Sequence, residues 1–132
     1  MPGPNMVLDK GYIPTTATRQ FRVVVAGAKE RCAEASAAGA IPLGVCQEEI
    51  AAADVAVDVE RVAQIRLAGI SRCIADAALG IGVRVRVDAQ GRVTALAAAT
   101  LNQNVVGITT TASAAAGDHI DVLLAIGSSI GT

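Results

Sequence analysis

The chain of 132 residues has no tryptophan, one tyrosine (Tyr12), one phenylalanine (Phe21) and one histidine (His119). Ala, Val, Ile and Leu must therefore fill the core of a protein that is 52% hydrophobic. Such side chains bury less area than the rings that dominate many cores. Either a tight aliphatic interior or burial against neighbouring molecules has to supply the difference. An excess of charge of one sign is also lacking. Eleven Lys and Arg against twelve Asp and Glu leave a net charge of −1, spread thinly along the chain, which excludes the clustered basic footprint of a nucleic-acid binder. No apolar run approaches the roughly 18 residues that a membrane helix needs. The opening "MPGPNMVLDKGYIP" lacks the charged start and apolar centre of a secretion signal, so synthesis in a cytoplasm without export by that route is expected. The three cysteines, Cys32, Cys46 and Cys73, form no CxxC pair. With a single histidine they write no metal-ligand set, and buried, reduced thiols are expected, with no cofactor.

Catalytic constellations are missing as well. His119 has Asp118 and Asp121 beside it and serines at 113, 128 and 129, but no nucleophile-elbow glycine pattern surrounds any serine. The "GIG" at 80–82 is followed by neither GK[ST] nor a helix, so it is no phosphate loop. Glu48 and Glu49 are adjacent and would point to opposite faces of a strand. Cys46, flanked by Leu43 and Val45, reads as buried. The chain is not expected to be an enzyme.

What is present is a strand pattern. In "GVRVRVDAQGRVTAL", residues 82–96, Val83, Val85 and Val87 alternate with Arg84, Arg86 and Asp88, the period of two of a half-buried strand. Asp88-Ala89-Gln90-Gly91 is a turn in which Gly91 can take a positive φ, and Arg92–Ala95 returns as the partner strand. Further strands are expected at Phe21–Val25, Leu43–Cys46, Val55–Val59 continuing through a bulge to Ala63–Leu67, Ile70–Ala75, Val105–Thr111 and around Ile120–Val122. The composition of residues 28–38, "AKERCAEASAA", leans towards a helix, but its alternation is too weak to decide. Short strands parted by Gly, Ala and Asp clusters indicate a mainly β, single-domain β-sandwich or β-barrel. The body is expected over residues 21–127, with an extended N-terminal arm at 1–20 and a tail at 128–132.

The chain also repeats itself. Gly44-Val45 returns as Gly107-Ile108, and Val57-Asp58-Val59 as Ile120-Asp121-Val122, both 63 positions on (107 − 44 and 121 − 58). This reads as a duplicated strand–turn–strand element of one sheet system.

Taken in order, Gly69, Ala77-Ala78, Gly82, Asp88–Arg92, Asn104–Ile108 and Ala115–Val122 resemble the pattern of the head decoration, or capsid cement, proteins of tailed bacteriophages. The upstream "IPLGVCQEEIAAADVAVDV" is similar to that family's earlier Gly-Val strand and turn, except that Asp54 stands where glycine is usual. The resemblance spans about residues 20–125. It implies a structural virion protein on the outer capsid surface, made in the bacterial host cytoplasm, that stabilises the shell by bridging coat subunits. The major capsid protein would be its partner, and a homotrimer is the oligomer the family suggests. The competing class, a small β module for carbohydrate or host surfaces, would want aromatic platforms that this chain lacks. Tyr12, Ile13 and Pro14 of the arm, with Phe21 just beyond, are the expected subunit or capsid contacts, since aromatic anchors are enriched at interface cores.

Overall fold

The computed structural model describes residues 7–55, 61–96 and 103–126, and the backbone of 129–130. Its strands in chain order are β1 (Leu8–Pro14), β2 (Val23–Ala26), β3 (Arg31–Glu34), β4 (Gly44–Cys46), β5 (Ala63–Ala68), β6 (Ile70–Ile74), β7 (Arg84–Val87), β8 (Val93–Ala95), β9 (Gln103–Asn104), β10 (Gly107–Thr109), β11 (His119–Leu124) and β12 (Ser129–Ile130). One short 3₁₀ turn, Ala52–Asp54, is the only helical element among the described residues. The mainly β, single-domain expectation holds, and residues 31–34 settle as strand.

Ten of the strands form two sheets of one plan. The first is a closed barrel in the order β1-β3-β2-β4-β5, with β5 returning to β1. The second runs β6-β11-β10-β7-β8, and a parallel bridge from Ala75 to Val93 ties its two ends. Pairing β1 with β6, β2 with β7, β3 with β8, β4 with β10 and β5 with β11 superimposes every neighbour relation. Backbone hydrogen bonds repeat position by position. Thr18 and Ile50 exchange N–H···O bonds, as do Leu79 and Ser113; Phe21 N–H donates to Cys46 O, as Gly82 N–H does to Thr109 O. The remaining strands, β9 and β12, pair with each other, so the expected C-terminal tail carries a strand.

The internal repeat is therefore half the molecule, and it builds two sheets rather than one element of a single system. Gly44 and Gly107 do occupy equivalent places. A Cβ on Gly44 would strike Arg66 O, and one on Gly107 would strike Leu123 O, so a close crossing by the next strand requires glycine twice. The second half of the sequence match is different. Val45 pairs with Arg66 and Ile108 with Leu123, so the offset has fallen to 57 (123 − 66). Residues 63–65, not 57–59, are the counterparts of Ile120–Val122. The strand expected over Val55–Val59 falls mostly on positions 56–60, outside the described residues.

The N-terminal segment corrects a further expectation. Residues 8–14 are extended, but as β1 they sit between β5 and β3, pairing antiparallel with one and parallel with the other. They belong to the barrel wall rather than to an arm outside the body. The prolines suggested an arm, yet only Pro14 lies within the strand, at its end, where one missing N–H costs little pairing.

Two aliphatic cores result. Val24, Cys32, Cys46, Ile50, Ala63 and Ile65 fill the first barrel, with Tyr12 packed against them. The second core is shared: Val85, Val87, Val93, Val106, Ile120 and Val122 of the second repeat pack with Val23, Ala35 and Val45 from the outside of the first. Val23 N–H donates to Gly91 O at 2.8 Å and Gln47 Nε2 to Ser71 Oγ at 2.9 Å, fastening the two repeats. One repeat thus covers the β6–β8 side of the other.

Candidate interaction surface

Strand alternation determines which side chains face outwards. On the second sheet Ser71, Val122 and Thr109 point in and are buried, which turns Ile70, Leu123 and Ile108 out. These three are cross-strand neighbours: Leu123 pairs with Ile70 on β6 and with Ile108 on β10, and Ile108 pairs with Arg84 on β7. They are 45%, 47% and 36% exposed, in that order. Isolated apolar residues on a surface are ordinary, whereas three side by side on one sheet face make a candidate contact surface.

The first repeat shows the same row in another state. Its counterparts are Asp9, Arg66, Val45 and Val23. Arg66 grips Asp9 through Nε and Nη2 at 2.9 and 3.2 Å, while Val45 and Val23 are fully buried beneath the second repeat. In one copy of the row Arg66 and Asp9 are ion-paired and the two valines are covered; in the other, three partly exposed apolar side chains stand beside Arg84.

Phe21 reaches the same outer face from the first repeat. Its ring meets His119 edge to face at 5.6 Å, and the Arg72 guanidinium lies 5.9 Å from its centroid. Arg72 in turn approaches Asp121 at 3.8 Å. The other expected contacts lie elsewhere. Tyr12 turns into the first barrel, with the Lys10 ammonium 5.3 Å from its ring. Pro14 is buried, and half-buried Ile13 marks the seam where β1 meets Arg31 of β3. The structure does not gather Tyr12 and Phe21 into one site. Ile70, Ile108 and Leu123 were missed, although the sequence held a signal: apolar residues stand at strand positions whose alternation calls for polar ones.

The groups weighed for chemistry are engaged in the architecture. Ser113 Oγ accepts from Leu79 N–H and donates to Ala77 O, and Asp118 Oδ2 accepts from the N–H groups of Ala114 and Ala115. Glu48 binds Arg61 at 3.0 Å. All three cysteines are buried and unbridged. Burial pushes the Cys32 thiol up to about 11 and that of Cys73 to about 12, and raises that of Cys46. Among the described residues no three His, Cys, Asp or Glu side chains cluster to hold a metal. A shallow groove of about 470 Å³ beside Val25, Ile41 and Leu43 is mainly apolar, and no polar side chain lines it to orient a small ligand.

The described residues thus present a duplicated all-β body with a row of partly exposed apolar side chains on one sheet face. Residues 4–124 match the phage cement protein family, and the chain belongs to it. Members of that family are structural components of the phage capsid, as the resemblance in the sequence implied. The fold is also similar to that of the head fiber gp8.5 N base in bacteriophage phi29, at 14% identity and a TM-score of 0.64, covering 91% of this chain and 95% of that one. No curated protein matches the chain in sequence.

Proposed function

We propose that this protein decorates the outside of a bacteriophage head and stabilises it by bridging neighbouring copies of the major capsid protein, as a homotrimer. The family match over residues 4–124 carries the reading. The partly exposed row Ile70–Leu123–Ile108 supports it, since apolar surface left in water forfeits roughly 25 cal/mol per Å² that a partner would recover. Phe21, beside His119 and Arg72 on the same face, is the anchor we assign to attachment. In this reading the chain is made in the host cytoplasm and added to the assembled shell. Co-sedimentation with purified heads that lack the protein tests this. The chain should pellet with heads and raise the temperature at which they release DNA. A chain that binds glycans and leaves heads bare would overturn the reading.

A further inference from the structure

We propose that copies of this chain join head to tail, with the β1–β3 seam of one copy seated on the outer face of the second sheet of the next. This names the interface of the oligomer proposed above and rests on that part of the reading alone. The contact already exists once within each chain. There the outer face of the first repeat (Val23, Val45) covers the β6–β8 seam of the second, and the Gly91 turn lies against Val23. Because the repeats share one plan, one face and one seam are left without such a cover among the described residues. That face holds Arg84, Ile108, Leu123 and Ile70. That seam holds Ile13 and the turn at Lys29-Glu30.

The covered and uncovered seams differ as this account requires. Ile74, the counterpart of Ile13, is buried at 8% exposure, whereas Ile13 remains half-buried. Glu30 takes the place of Gly91 and keeps its left-handed backbone, φ 61° against 73°. Within the chain that place is tight, because a Cβ on Gly91 would lie 3.1 Å from Arg22 Cβ and 3.2 Å from Glu34 Cγ, and those neighbours would have to give way. On the open face the counterparts of Arg22 and Glu34 are the shorter Val83 and Ala95, which leave room for Glu30. The counterpart of Val23 is Arg84, a cation with no acidic partner among the described residues, facing the place Glu30 would take. Among the described residues the Glu30 carboxylate holds the exposed Lys10, at 3.2 Å. Size and charge have therefore changed together on the two surfaces. A second copy fits there better than an unrelated partner. Face and seam are different surfaces, so the contact is heterologous and closes into a ring, such as the trimer, or continues as a chain.

Sedimentation velocity of the full chain without capsids tests the interface. Wild type should assemble with rising concentration and Leu123→Glu should stay monomeric. Glu30→Arg should weaken assembly by about tenfold or more, and Glu30→Arg with Arg84→Glu should regain it. An equimolar mixture of Leu123→Glu and Glu30→Arg should stop at dimers, because each variant retains the surface the other has lost. These positions are exposed, so unchanged melting curves separate lost contact from lost fold. A wild type that is monomeric at every concentration, a Leu123→Glu chain that assembles normally, or a mixture that forms no dimers overturns the proposal. Head binding is scored separately: a chain that assembles as expected but leaves heads bare sinks the capsid reading and leaves this interface standing.

Discussion

Phe21 sits at φ 63°, a conformation that side-chain-bearing residues avoid, and its counterpart in the second repeat is Gly82 at φ 77°. A left-handed non-glycine residue costs about 1 kcal/mol or more, so the ring contacts with His119 and Arg72 must offset that cost. Phe21→Ala loses the ring and keeps the strain, whereas Phe21→Gly loses both. Urea unfolding should show alanine the less stable by about 1 kcal/mol; equal stabilities would mean that the backbone is unstrained there. The cysteines make a second claim at this scale. Their folded pKa values lie above the ordinary thiol value of 9.0, reaching about 11 for Cys32 and about 12 for Cys73. Between those limits the unfolded chain has lost protons that the native chain keeps, so stability falls as pH rises above 9. Below 9 that contribution is fully present and flat. Thermal melts in alkaline buffers should show the decline, and Cys73→Ala should reduce it.

Gly91 belongs to the β7–β8 hairpin, where Asp88 Oδ1 accepts from the N–H groups of Gln90 and Arg92 at 2.8 Å. Its φ of 73° is one that side chains rarely adopt, and an added Cβ would press on Arg22, Glu34 and Val23 O. Gly91→Val should cost about 2 kcal/mol or more, measured as a lowered urea midpoint, since backbone strain and overpacking add. The first strand makes a complementary prediction. A detachable arm could be cut away without harm, but β1 satisfies the edges of both β3 and β5. Deleting residues 2–14 should therefore abolish cooperative unfolding rather than merely weaken attachment. A truncated chain with a native melt would return this segment to the status of an arm.

At the scale of the whole molecule, the two repeats do not stand apart, because Val23, Ala35 and Val45 of one complete the core of the other. Val23→Ala should destabilise the chain by about 2 kcal/mol, and unfolding should remain a single transition by circular dichroism and by Tyr12 fluorescence. Two separate transitions would show the repeats to be independent. The shared core also explains how a chain so poor in aromatics folds. Twelve buried hydrophobic residues pool their area in one cluster instead of stabilising two small barrels separately.

Local pattern alone determined the β class, the β7–β8 hairpin with its left-handed Gly91, the buried thiols and the Gly44–Gly107 correspondence, because each depends on residues near in sequence. The family too was legible there, in the order of its glycines and small-residue turns. Tertiary structure decided the rest. Nothing in Leu8–Pro14 announces that its partners lie at Arg31–Cys32 and Ala63–Ala68, since strand pairing over such separations is fixed by barrel closure rather than by the strand itself. The loop between β4 and β5 is longer than its counterpart between β10 and β11, which moved the true match of Ile120–Val122 away from the one the letters suggest. Whether an outward valine is core or contact depends on what covers it. Val45 lies beneath the second repeat, Ile108 in the same place is 36% exposed, and only the packing of one repeat on the other tells them apart.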